Sequence, residues 1–247
     1  MIISFFEEFP TEENLQKLSL INWPCKLYLA AGNLIEFNKL KKTIKNKNII
    51  EVIYWPILTK KEGYWISPFA KKQALQKTLN ELENENISVM LDLELPTRHN
   101  PLLYLTQSIN FLSNKRSINH FIQNHPNRVY LAEYYPQKGW RSKLIKILGL
   151  HYSNENSSII KMLYGSMHQF DDKFLIKQLQ LGKTNYPHFI PAFGTIETGI
   201  TQNEPILSPK QLSNHLRIAR NNKINEVIIF RLGGLTKEYS RIITINT

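Results

Sequence analysis

"ISVMLDLELP", residues 87–96, is an apolar run that ends in two carboxylates, Asp92 and Glu94, with Leu93 between them. In an extended strand successive side chains point to opposite faces. Ser88, Met90, Asp92 and Glu94 then share one face, and Val89, Leu91 and Leu93 share the other. The purely aliphatic face must pack on a hydrophobic layer, so both acids point the opposite way, into whatever the strand encloses.

Seven more short β-branched or aromatic runs share this character: "IISFFEEFP" from Ile2, "KLYLAAG" from Lys26, "IIEVIYWP" from Ile49, "NRVYLAEYYP" from Asn127, "SIIKMLYGS" from Ser158, "FIPAFGT" from Phe189 and "EVIIFRLGG" from Glu226. Helical segments lie between them. Ser67-Pro68 and Ser208-Pro209 each read as a side-chain N-cap followed by proline at the first helical position. Weaker helical patterns follow the other runs at residues 11–18, 34–45, 102–123, 140–148, 171–181 and 236–241. Strand-helix alternation implies right-handed crossovers and a parallel sheet. Eight such units in 247 residues match a single (β/α)8 barrel (TIM barrel) spanning residues 1–247, an α/β fold. An open doubly wound sheet is the alternative, but no Gly-x-Gly-x-x-Gly follows any run.

A barrel keeps its site at the C-terminal ends of its strands. The candidates there are Glu7 and Glu8, Tyr54 and Trp55, Asp92 and Glu94, Glu133 and Tyr134, Tyr164, Glu197 and Arg231, with Trp65 in the long loop after the third run. Six of the 20 acids thus fall on one rim of a chain with formal charge +11. Asp92 and Glu94, roughly 6.6 Å apart at Cα for ~3.3 Å rise per residue, are close enough for one carboxyl to raise the other's pKa. That keeps a carboxylic acid protonated near neutrality, as a general acid requires. Glu8, Glu133 or Glu197 would supply a second carboxyl across a cleft, and Tyr54, Trp55, Tyr64 and Trp65 flat surfaces for sugar rings.

These residues resemble the family-18 glycoside hydrolases, chitinases and endo-N-acetylglucosaminidases on a (β/α)8 barrel. The resemblance rests on Asp92-x-Glu94 and on Met162-x-Tyr164 two strands later. It implies that Glu94 protonates the glycosidic oxygen, that Asp92 assists the substrate's own N-acetyl group, and that the Tyr164 hydroxyl meets the acetamido group. The chain departs from the family's pattern at Met90, where the family has an inner Asp, at Ser88 and Gly165, and at Phe230-Arg231, where the family has a Trp.

Two other chemistries use the same rim. Glu8, Asp92, Glu94, Glu133 and Glu197 would hold a hard divalent cation for a metal-dependent phosphodiesterase or a sugar isomerase. The histidines, among them His99, His151 and His168, show no His-x-His or His-x-x-x-His spacing to join them. "RLGGLTK" from Arg231 offers a phosphate cradle for a sugar-phosphate enzyme, or else a tight turn that needs glycine. A catalytically inactive carbohydrate- or protein-binding barrel is the non-enzyme alternative.

The expected partner is a small-molecule or oligosaccharide substrate, with no metal and no cofactor named by any motif. The positive charge is spread through Lys- and Asn-rich stretches such as residues 37–48, which read as solvated helix faces, so no nucleic acid is expected. No run approaches the length of a membrane span, and no membrane partner is expected. The single cysteine, Cys25, excludes a disulfide framework and reads as a buried apolar residue. The first residues lack a signal-peptide pattern, which points to a cytoplasmic protein. Oligomeric state has no signature here.

Overall fold

The computed structural model describes residues 1–96, 100–152 and 154–247, so His99 lies outside the described residues. Eight parallel strands close into a barrel in sequence order: β1 (Ile2–Glu7), β2 (Cys25–Ala31), β3 (Ile49–Pro56), β4 (Val89–Asp92), β5 (Val129–Tyr134), β6 (Ser157–Met162), β7 (Phe189–Gly194) and β8 (Glu226–Phe230). Helices α1 (Glu12–Gln16), α2 (Leu34–Thr43) and α3 (Lys72–Leu82) follow the first three strands. α4 (Leu102–Thr106) and α5 (Phe111–Asn124) follow β4, α6 (Gly139–Ile147) follows β5, and α7 (Gly165–His168) and α8 (Asp172–Asn185) follow β6. α9 (Pro209–Asn221) and α10 (Lys237–Asn246) complete the ring.

Alternation along the strands makes two cores. Phe6, Tyr28, Ile53, Met90, Ile160, Ile190 and Ile228 fill the barrel, while Phe5, Leu27, Leu91, Leu131, Phe193 and Ile229 pack outward against helices. Met90 joins the inner core, and Val89, Leu91 and Leu93 the outer one, as the alternation predicts. The N-terminal end of the barrel is closed by a polar plug. Lys26 Nζ donates to Glu226 Oε2 at 2.8 Å and the Tyr28 hydroxyl donates to Glu226 Oε1 at 3.1 Å.

The helix starts differ between the two Ser-Pro pairs. Ser208 caps α9 with a complete capping box, its hydroxyl accepting from the Gln211 N–H and the Gln211 side chain accepting from the Ser208 N–H. After Ser67-Pro68, by contrast, the helix begins only at Lys72. Asn114 of α5 donates to the carbonyls of Pro68 and Ala70 at 2.9 and 3.0 Å, which holds that backbone in a turn. Among the described residues no helix is long and apolar enough to cross a membrane.

Candidate active site at the barrel mouth

A cavity of about 150 Å³ opens at the C-terminal ends of the strands. Phe6, Met90 and Ala132 form its floor, and Trp55, Trp65, Tyr134, Tyr164 and Phe230 its aromatic walls. Glu8, Asp92, Glu94 and Glu204 line it, and among the described residues no lysine or arginine joins them in the lining.

Each acid is held differently. Glu8 follows the last residue of β1 and accepts from the Tyr64 hydroxyl at 2.8 Å through Oε1, while its buried Oε2 has no partner among the described residues. Asp92 ends β4, and its buried Oδ1 is likewise unpartnered among them. Glu94, two residues on, accepts from the Tyr134 hydroxyl at 3.1 Å. The indole N–H of Trp55, on the adjacent β3, is a third buried polar group in the same condition. Buried polar groups left unpaired are costly, so three around one cavity mark a surface shaped for something other than stability.

Electrostatics follow from burial. Desolvation pushes the Glu8 carboxyl up to about 7 against the Tyr64 hydrogen bond, with smaller pushes from Glu204 and Glu94. Burial raises Asp92 well above the usual carboxylate range, with Glu94 and then Glu8 adding repulsion. Glu94 is pushed up to about 7 by burial against the Tyr134 hydrogen bond. Glu204 behaves oppositely: burial raises it, but donation from the Thr201 hydroxyl and from backbone N–H groups outweighs this and holds it below its ordinary value. Burial, reinforced by Asp92 and Glu94, lifts the Tyr164 phenol, which stays a proton donor. The mouth therefore combines carboxyls able to hold protons near neutrality with one that stays charged.

The structure brings Glu8, Trp55, Trp65, Asp92, Glu94, Tyr134 and Tyr164 together around the cavity. Five other candidates, Glu7 among them, point elsewhere. Tyr54 follows Ile53 and precedes Trp55, so it faces outward and stacks on Phe37 of α2 at 4.8 Å between ring centroids. Glu133 is out of phase with Ala132 and Tyr134 and is buried on the helix side. There it pairs with Lys161 at 2.7 Å and His151 at 2.8 Å. Arg231 follows the inward Phe230 and turns outward to Glu7, whose Oε1 accepts from Nη1 at 3.0 Å. Glu197 is turned onto its own loop, accepting from the Thr198 N–H at 2.9 Å.

The same placements bear on the two rival chemistries. With Glu133 and Glu197 facing away, the five-carboxylate cage is not assembled, and among the described residues no three His, Cys, Asp or Glu side chains converge to hold a metal ion. The glycine cradle is filled by the protein itself, since the Gly233 N–H donates to Glu7 Oε2 at 2.7 Å. A Cβ on Gly234 would run into the Ile196 carbonyl, so glycine serves close packing there.

Sequence reading missed Glu204, Thr201 and Ile200 from the loop after β7, and Met167 from α7. His168 and Thr195 also line the mouth. The loop residues lie in a segment with no periodicity to place them. Gly199 admits this loop to the site: a Cβ there would stand 2.8 Å from Glu8 Oε2 and 2.9 Å from the Phe230 ring.

Fold and site together define a closed (β/α)8 barrel with a carboxylate-lined, aromatic-walled mouth. No protein-family model matches the chain, and no curated protein matches it. Among solved structures it is similar to the glycoside hydrolase domain of PgaB (BpsB) from Bordetella bronchiseptica, with TM-score 0.57 and 9% identity over 99% of this chain and 97% of that one. It is also similar to a D-tagatose 3-epimerase-like protein (TM-score 0.56, 10% identity, 99% and 95% covered) and to D-psicose 3-epimerase (0.53, 8%, 99% and 98%). At such identities the likeness is one of fold.

Proposed function

We propose that this mouth hydrolyses glycosidic bonds, with Glu94 as the proton donor. The observation that carries the reading is the pair Asp92 and Glu94 on one inner face, both pushed toward the protonated form by burial in an aromatic cavity. Glu94 gives its proton to the glycosidic oxygen as the bond to the anomeric carbon breaks, and water then adds its hydroxyl to that carbon and returns a proton to Glu94. Asp92 repels Glu94 when both are charged, so together they keep one proton at neutrality. Tyr164 donates a hydrogen bond that orients the sugar, and Trp55 and Trp65 offer ring faces to it.

The finer assignment, a family-18 mechanism using the substrate's N-acetyl group, draws support from the spacing of Asp92-x-Glu94 and Met162-x-Tyr164 and from the lining of one cavity by all four side chains. A carbohydrate-binding barrel without catalysis is the second reading. It draws on Met90, a buried thioether where that family's inner acid would stand.

A panel of aryl glycosides and aryl phosphodiesters, assayed with and without chelator, tests the proposal. Chelator-insensitive release of phenol from at least one glycoside supports it. Release only from phosphodiesters, or from none of the panel, rejects it.

A further inference from the structure

Two apolar stripes, separated in sequence, lie on the outside of the barrel on helices that Lys115 ties together. Leu102, Leu105, Ile109 and Leu112 line the outer side of α4 and the start of α5, and Trp140, Leu144 and Ile147 recur at helical spacing on α6. All seven are between 42% and 86% exposed. Lys115, one turn beyond Leu112, donates to the carbonyls of Lys146 and Ile147 at 3.0 and 3.1 Å, which ties the start of α5 to the end of α6. Isolated exposed aliphatics are ordinary on any surface, but these seven fall on two helical segments that Lys115 holds side by side.

Its charge is mainly basic, with acids only at its edges, Glu155 near Lys138 and Lys146 and Glu83 near Arg116. Between residues 100 and 152 the sole acid is Glu133, which is fully buried against Lys161. Around the stripes stand Lys115, Arg116, Lys138, Arg141, Lys143 and Lys146. A second copy of the chain on this face would set these cations against their own images. Nucleic acid would meet the cations and leave seven apolar side chains in water. A bilayer surface with anionic headgroups satisfies both sets at once, because Trp, Leu and Ile enter the acyl boundary while flanking Lys and Arg meet phosphate.

We infer that the face formed by α4, α5 and α6 docks this protein on anionic lipid membranes. The contact is peripheral, with Trp140 at the headgroup level where amphipathic rings settle. It is independent of the chemistry at the mouth.

The test uses the whole chain and two sets of vesicles, pure phosphatidylcholine and phosphatidylcholine with phosphatidylglycerol. The protein is expected to sediment with the anionic vesicles and to remain in solution with the zwitterionic ones. Trp140 is an internal reporter, being 70% exposed while Trp23 and Trp55 are buried and Trp65 is half-buried at the mouth. Its emission should shift to the blue on binding, and the shift should vanish in Trp140→Phe. Arg141→Glu with Lys143→Glu should weaken partitioning on the order of tenfold or more, since each basic residue near an anionic surface contributes about 1 kcal/mol. Leu112→Ser with Ile109→Ser should weaken it without changing the melting temperature, because both side chains already face solvent. Failure to sediment with anionic vesicles overturns the proposal, as does equal binding to both kinds. Binding to duplex DNA in place of vesicles, or a dimer in light scattering that Leu112→Ser splits, also overturns it.

Discussion

Tyr134 on β5 donates its hydroxyl to Glu94 at 3.1 Å, reaching across from the strand that pairs with β4. Glu94 is thereby held between two opposed effects: burial pushes its carboxyl up to about 7, and this hydrogen bond pulls it down. Tyr134→Phe removes the donor that favours the carboxylate, so Glu94 keeps its proton to higher pH. The alkaline limb of the kcat/KM profile should move upward in pH in this variant. A limb that does not move takes the proton-donor role away from Glu94.

The raised carboxyls make stability depend on pH in a stated direction. Glu8 and Glu94 titrate near 7 in the folded protein against an ordinary 4.5, and Asp92 stands well above its ordinary 3.8. The native state thus holds more protons than the unfolded chain between those values. Stability is full below the ordinary carboxylate range and falls as pH rises through about 7. Asp92→Asn cannot lose a proton, so it should melt higher than the wild type at pH 8, on the order of 5 °C. The gap should shrink toward pH 4, and thermal melts across this range read it directly.

Glu133 carries a different expectation because it sits outside the mouth. Its carboxylate neutralises Lys161, which is 1% exposed and pairs with no other acid among the described residues. Glu133→Leu strands that ammonium in the outer core, at a cost of about 3–5 kcal/mol. The melting temperature should drop by roughly 10 °C, while turnover per folded molecule stays unchanged. A variant with normal stability and lost turnover would return Glu133 to the site.

Much of the barrel was legible because the signal is local. Eight runs with helical patterns between them leave few topologies, and alternation on β4 separates Met90 from Val89, Leu91 and Leu93 correctly. The same alternation, carried to β3, β5 and β8, turns Tyr54, Glu133 and Arg231 outward. Treating every residue at a strand end as part of the mouth overlooks that only every second one faces it. The Ser67-Pro68 start was misleading for another reason, since the capture of the Pro68 and Ala70 carbonyls by Asn114 is a tertiary contact that local sequence does not carry. Glu204 was out of reach too: it lies in an aperiodic loop, and only the folded chain brings it beside Glu8. The apolar face on α4, α5 and α6 is divided between stretches about 30 residues apart in sequence, neither long enough to be conspicuous alone.

The most direct measurement is the turnover of Glu94→Gln beside the wild type on the aryl glycoside that the wild type cleaves fastest. The substituted amide keeps the shape of the carboxyl and can still accept from Tyr134, but it has no acidic proton to give. Turnover should fall roughly 100- to 10,000-fold, the contribution of a positioned general acid, with the melting temperature at pH 5 within a few degrees of the wild type. Undiminished turnover in folded Glu94→Gln would contradict the assignment of Glu94 as the proton donor.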